Sequence, residues 1–491
     1  MVYAAVKRSP VFGGQLVSID DKAARIIQGV IDVIKLPADE ANGMVGQYSV
    51  SDSVAVVAES YWIAEQGIGA LELEWDTKGL ESVSSNSIFK QFDRDISSGK
   101  GRHLDDAAGD IKQIFSGAAK VLEAEYQVPY LAHTCMEPMN ATAEVTDSKA
   151  EIWVGCQNPL GFRHVVADAL GIDADNVILH NCFMGGGFGR KSIADYATQA
   201  ALIAKAVGQP TQLIWSREED IRQDFYRPAV KSHFRAAIDK HGNLLGWENT
   251  YVDDKDGPID ASLIPYLVPA RDIGHVRSPT HVPFGAWRSV DHSQHAFFTE
   301  SFIDEVAIAC KIDPYKFRAE LLADKPRHLK VLRTAAEAAG WNRPLDKGRG
   351  RGISLHESFG SIVAQVVEVT VVEGKSSVDR VVAAIDAGYA ISPDGISAQI
   401  ESGIIYGLTA AIHGEITIQN GAVSESNFHD YKAVRMSEAP IIETHIINSG
   451  EHIGGAGEPG TPGIAPALAN AIYDATGARY RNLPLKLSGI S

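Results

Sequence analysis

VILHNCFMGGGFGRKSIADYATQAALIAKAV, residues 177–207, reads as strand, glycine loop and helix in immediate succession. Residues 177–183 predict the strand. The helix is expected over about 193–207, with a Ser192…Asp195 capping pair at its start and Gly208 and Pro210 stopping it. The same order appears just upstream. Residues 150–157 predict a strand, Asn158 caps a helix with Pro159 at its first position, and Gly171 closes it. Further along, Lys240-His241-Gly242-Asn243 and Asn420-Gly421 predict hairpins. Residues 366–372 alternate as a half-buried strand, and a last helix over about 465–476 follows Pro462 and ends at Gly477. Strands and helices alternating in this way predict an α+β fold of mixed sheets and several large units.

The chain has 491 residues, enough for two to four domains at about 150 residues each. Apolar residues make up 45% and charged residues 22%, which supplies a sizeable core and excludes wholesale disorder. A net charge of −17 without a dense Lys/Arg block disfavours a nucleic-acid partner. No apolar stretch is long enough to span a bilayer. Residues 1–8 read as the inside of a domain, neither a signal peptide nor a twin-arginine leader. Composition divides the chain at 1–76, a polar Ser/Asp-rich linker at 77–110, a unit at 111–330 and a unit at 331–491. Cys135, Cys156, Cys182 and Cys310 are far apart and form no CxxC pair, so all four read as small buried hydrophobes. Redox chemistry here then needs a bound organic cofactor, or a metal that these thiols do not hold.

Three junctions place unusual residues before a helix, where backbone N–H groups are unpaired and the local potential is positive. They are Cys156-Gln157-Asn158-Pro159, the loop Met184-Gly185-Gly186-Gly187-Phe188-Gly189-Arg190-Lys191, and Gly454-Gly455-Ala456-Gly457-Glu458-Pro459-Gly460-Thr461-Pro462. The glycine loop allows backbone to approach an anion closely, or is simply a tight turn. It lacks the Lys-Ser/Thr ending of a P-loop, and Arg190 replaces the third glycine of a dinucleotide fingerprint. Phe188 suggests a ring held against a flat ligand or a metal centre. Glu458, in an uncharged Gly/Pro segment, is the candidate general base, or else a cap for the next helix. Gln157 either donates a hydrogen bond to an oxo group or closes its strand. Asp291, His292 and His295 read as the polar start of a helix rather than a metal site, because no third ligand with matching geometry can be named.

These residues, with His133-Thr134-Cys135-Met136-Glu137-Pro138-Met139-Asn140, Trp287-Arg288-Ser289-Val290, Glu300-Ser301-Phe302-Ile303-Asp304-Glu305 and Asn427-Phe428-His429-Asp430-Tyr431, occur in an order that resembles one family. It is the molybdenum-binding subunit of the xanthine oxidase and aldehyde oxidase superfamily, in its isoquinoline 1-oxidoreductase beta-subunit-like branch. The resemblance implies a partial hammerhead-like domain at 1–76 and two large molybdopterin-binding units at 111–330 and 331–491. It implies molybdenum held by a pterin dithiolene, in the cytosine dinucleotide form, with no protein ligand to the metal. Small aldehydes or N-heteroaromatic compounds would be hydroxylated with oxygen from water, and electrons would leave to a small partner subunit carrying [2Fe–2S] clusters. By the same resemblance Glu458 is the base and Gln157 bonds the oxo group. Gly186, Gly187, Phe188, Gly189, Arg190 and Gly457 surround the cofactor, Arg288 stands on its oxo side, and Gln399 contacts the pterin.

Two departures qualify the likeness. Ser192 stands where purine-oxidising relatives have a substrate-gripping glutamate, so xanthine is not the expected substrate. The Met-Gly-Gln-Gly pterin-binding segment of the branch is not found, and the chain is expected to begin within the hammerhead-like domain, as a truncation or a separately encoded half. The alternative function is accordingly a non-catalytic remnant that keeps the fold and the partner contact. The compartment is periplasmic if an upstream segment carries a twin-arginine leader, and cytoplasmic otherwise.

Overall fold

The computed structural model describes residues 1–38, 51–99, 101–107, 110–257 and 259–487. Among these, three sheets carry the architecture. The first has seven strands in the order Val177–Asn181, Ala150–Val154, Asn140–Val145, Thr211–Ile214, Val2–Arg8, Ser53–Ala58 and Val30–Leu36. The second has five, in the order Arg102–Ala107, Ala270–Arg277, Leu244–Asp253, Val230–Ile238 and Lys120–Val128. The third has four, in the order Arg349–Ser358, Ser361–Val372, Lys375–Asp386 and Ile441–Ile447. All three mix parallel and antiparallel pairs, for example Val2–Arg8, parallel to Thr211–Ile214 and antiparallel to Ser53–Ala58. The α+β expectation is met.

Local turn chemistry explains many element ends. Asn158 accepts the Gly161 N–H to start the helix Pro159–Leu170, and Gly171 ends it at φ 69°. The helices Asp195–Val207 and Ile464–Thr476 stop at Gly208 and Gly477 with φ 66° and 77°, a conformation that glycine adopts without a Cβ penalty. Both expected hairpins form, with Asn420 and Gly421 at φ 52° and 77° joining Ile418–Gln419 to Ala422–Val423. The Ser192…Asp195 capping pair does not form. The first-turn Asp195 turns inward to Arg190 and Arg8 instead. Strand Ser361–Val372 is buried on both faces over most of its length rather than half-buried, because helices Ile464–Thr476 and Pro326–Ala339 cover it.

The composition-based boundaries need correction. Residues 1–76 are not a separate unit, since Val2–Arg8 lies inside the seven-stranded sheet between Thr211–Ile214 and Ser53–Ala58. The polar 77–110 stretch is not a linker. Ser84 and Ser87 form a reciprocal capping box for the helix Ser85–Ser97, which buries Ile88 and Phe92, and Arg102–Ala107 joins the five-stranded sheet. The break at 330/331 falls inside the helix Pro326–Ala339. One core runs from Tyr126 and Trp247 through Phe297 and Phe302 of helix His292–Ala309 to Val366, Ile385 and Leu468. The five- and four-stranded sheets therefore share a hydrophobic interior. Cys135 and Cys156 are buried as expected, but Cys182 is exposed at its strand end and Cys310 is half-buried.

Candidate active site

Gln157 stands between the strand Ala150–Val154 and the helix Pro159–Leu170. Its backbone N–H donates to Lys191 O at 2.8 Å, and its Oε1 accepts the Gly189 N–H at 3.0 Å. With the amide oxygen committed, its NH2 has no acceptor among the described residues. The glycine loop is shaped by exclusion. Phe188 sits at φ 52° and Gly189 at φ 106°, where a Cβ on Gly189 would overlap the Ala286 carbonyl. On Gly187 it would stand 2.7 Å from Gln157 Oε1, and on Gly186 2.9 Å from the Phe188 ring. A 3-10 turn, Arg190–Ser192, separates the loop from helix Asp195–Val207, so the loop does not open directly into that helix.

Arg288 is only 5% exposed. It donates to Ser402 Oγ and Gln399 Oε1, both at 2.9 Å, and to Gly457 O at 3.0 Å. No carboxylate lies within ion-pair distance of it among the described residues. Burial lowers the pKa of the guanidinium, against the pull of Tyr406 and Glu458. Gln399, Ser402 and Tyr406 share one face of helix Pro393–Ile412 by their i, i+3, i+7 spacing. Tyr406 stacks on Phe188 with centroids 4.5 Å apart and on Trp287 at 4.6 Å. Arg227 stands behind Trp287, 5.6 Å from its ring, fully buried and pushed down by burial to about 9, hence still cationic at neutral pH.

Glu458 is half-buried. Ser289 holds it twice, N–H to Oε1 at 2.8 Å and Oγ to the Glu458 carbonyl at 2.7 Å. Oε2 has no partner among the described residues. Ser289 and the β-branched Val290 lie at φ 72° and 40°, strained conformations of the kind that concentrate at functional sites. The following helix has Gly463 at its cap and no side-chain cap bond, which removes the capping reading of Glu458.

Eight of the ten nominated residues line one cavity of about 510 Å³: Gln157, Gly187, Phe188, Gly189, Arg288, Gln399, Gly457 and Glu458, joined by Ser192. Gly186 lies just behind Phe188. Arg190 is the exception. Its side chain is turned into the core, 1% exposed, bonded to Asp195 at 2.8 and 2.9 Å and paired with Asp224 at 3.1 Å. Although burial opposes it, those carboxylates hold the guanidinium above its usual pKa. Arg190 therefore braces the loop from below and cannot line a cofactor, because its charge is already neutralised in the interior.

Several supporting residues carried no legible role. His133 places Nδ1 2.9 Å from Asp224 and Nε2 3.0 Å from the Ala286 carbonyl that Gly189 abuts. Burial alone would raise Asp224, but His133 and Arg190 outweigh it and hold the carboxyl below its usual range. Cys135 Sγ donates to Gly187 O at 3.3 Å, its thiol pushed up to about 12 by burial. Tyr431 ties its own segment to this floor through Ala132 N at 3.1 Å. Asp291, His292 and His295 form a helix start as read, and no metal-holding group occurs among the described residues. Nor is any helix there long and apolar enough to cross a membrane.

Comparison with known proteins identifies the family. The family described as Molybdopterin cofactor-binding domain matches residues 96–321, and a second family of the same description matches 319–440. Isoquinoline 1-oxidoreductase subunit beta of Brevundimonas diminuta is 30% identical over 517 residues, covering 99% of this chain and 64% of its own length. The membrane-bound aldehyde dehydrogenase [pyrroloquinoline-quinone] of Gluconacetobacter polyoxogenes is also 30% identical, over 99% of this chain and 68% of its own. The chain thus spans about two thirds of these two curated relatives. Among solved structures, quinoline 2-oxidoreductase from Pseudomonas putida 86 shares the fold, with a TM-score of 0.82, 16% identity, and coverage of 99% of this chain and 93% of that one. The chain belongs to the molybdenum-binding subunits of the xanthine oxidase and aldehyde oxidase superfamily.

Proposed function

We propose that this chain forms the catalytic face of a molybdenum hydroxylase that oxidises small aldehydes or N-heteroaromatic compounds, with water as the oxygen source. Its electrons pass to a separate [2Fe–2S] subunit. One observation carries the reading: a half-buried carboxylate, a buried guanidinium and a glycine loop without room for side chains share one cavity. That donor set fits an anionic pterin-held metal. Arg288 offers positive charge that no carboxylate neutralises among the described residues, and Gln157 offers a free NH2. Gln399, Gly187, Gly189 and Gly457 present the surface that would hold the group, taken here as the cytosine dinucleotide form of molybdopterin. When bound, it supplies a two-electron oxidant and activates water. Glu458 Oε2, left open while Ser289 fixes Oε1, takes up the proton of the oxygen nucleophile. Phe188, stiffened by its stack on Tyr406, gives a flat substrate an apolar wall. The non-catalytic alternative is disfavoured, because a remnant has no need to keep Glu458, Gln157 and Phe188 converging on one cavity.

The substrate side makes a prediction. Ser192 donates its hydroxyl to Gly189 O at 2.6 Å, and it has no carboxylate to grip a purine. In the complex, with an artificial acceptor, kcat/KM for benzaldehyde or isoquinoline should exceed that for xanthine by about 100-fold or more. Preference for xanthine would overturn the substrate class. Elemental analysis decides the cofactor: molybdenum in the purified complex supports the reading. A quinone without molybdenum, as in the name of the Gluconacetobacter relative, would replace it. Stoichiometric iron and acid-labile sulfide in the isolated chain would rule out the separate electron carrier.

A further inference from the structure

One carboxylate touches both ends of the glycine loop without lining the cavity. Glu137 Oε2 accepts the Gly185 N–H at 2.7 Å, and the Glu137 N–H donates to Gly185 O at 3.1 Å. The same Oε2 is ion-paired with Lys191 Nζ at the loop's far end, while Oε1 accepts Asn140 Nδ2 at 3.2 Å. Lys191 is 1% exposed, so its ammonium has exchanged water for this carboxylate, its one ion-pair partner among the described residues, and such a pair tolerates little displacement. Opposed by burial, these partners together hold the Glu137 carboxyl below its usual range. The Lys191 carbonyl in turn accepts the Gln157 N–H at 2.8 Å, and Gln157 Oε1 accepts the Gly189 N–H. A chain of contacts therefore runs from Glu137 through Lys191 and Gln157 to the middle of the loop. Apolar packing does not anchor the loop's entrance, since Phe183 is fully exposed and Met184 is 41% exposed. A Cβ on Gly185 would stand 2.5 Å from Glu137 Cβ, so the backbone is seated directly on this side chain.

We propose that Glu137 and Lys191 are positioning residues, an ion-pair latch that sets the glycine loop and Gln157 in their binding shape before any ligand arrives. Neither touches the cavity, and both act through the backbone they hold.

Hydrogen exchange on the 491-residue chain, with molybdenum analysis after expression with molybdate, tests this. Glu137→Gln keeps an acceptor for Gly185 but leaves the Lys191 ammonium unpaired. Amides over residues 184–192 should exchange at least about tenfold faster, exchange elsewhere should be unchanged, and molybdenum per chain should fall about tenfold. The double variant Glu137→Gln with Lys191→Met removes the latch without stranding a charge. Its thermal midpoint should match wild type while the loop still exchanges fast, an outcome that separates positioning from the cost of a lone buried ion. Wild-type loop exchange in the double variant would overturn the latch. Global unfolding of both variants would overturn it too, by showing that the pair holds the whole fold. The molybdenum arm rests on the functional reading above, whereas the exchange arm does not. Wild-type protein without molybdenum therefore refutes that reading and leaves the latch to be judged on exchange alone.

Discussion

Glu458→Gln is expected to lower turnover roughly 100-fold or more while leaving the fold and the bound cofactor in place. The side chain keeps its length, and the Ser289 N–H, 2.8 Å from Oε1, still requires an oxygen opposite it. That requirement orients the amide: its oxygen faces Ser289 and its NH2 faces the cavity. The group that accepted a proton becomes a donor. Steady-state rates with benzaldehyde and an artificial acceptor, normalised to molybdenum content, give the comparison. Oxidation at the wild-type rate would end the assignment of Glu458 as the base.

Gly189→Ala should be almost as damaging, for a steric reason. At φ 106° an alanine is strained, and its Cβ would overlap the Ala286 carbonyl, which His133 Nε2 holds from behind at 3.0 Å. Neither side can yield cheaply. Backbone strain and overpacking together cost about 3 kcal/mol, enough to weaken binding at the loop about 100-fold. Molybdenum content of the purified variant reads the effect directly. Wild-type occupancy would mean that the loop is freer than its surroundings imply.

What could be read ahead of the structure follows from the range of the forces involved. Caps and turns such as Asn158, Gly171, Gly477 and Asn420-Gly421 are decided within a few residues, so they were legible. Sheet membership was not. Val2–Arg8 finds its parallel partner about 200 residues later, and nothing in its local pattern names Thr211–Ile214. The 77–110 stretch misled because a polar average hid the buried Ile88 and Phe92, with Phe89 and Ile96 packed beside them, on one helix. At the site, the glycine loop, Gln157 and Glu458 stood out by residue type, while Arg288 and Gln399 came only from the family likeness. Arg190 misled because position in a motif does not say which way a side chain turns. Ser289 and Val290 carry no compositional sign of their positive φ. Tyr406 did leave a sign, seven residues after Gln399 on the same helix face.

The place of Val2–Arg8 in the sheet has a consequence for how the protein is made. As the nascent chain emerges, this strand can pair early with Ser53–Ala58, and that strand with Val30–Leu36. Its other edge must wait for Thr211–Ile214, a delay of about 10–40 s at ordinary ribosome speeds of roughly 5–20 residues per second. During that interval an unpaired edge is presented to every neighbouring chain, and Arg8 lacks the Asp195 that later neutralises it. That exposure makes the edge an aggregation hazard during synthesis, so overproduction should yield inclusion bodies in preference to folded protein.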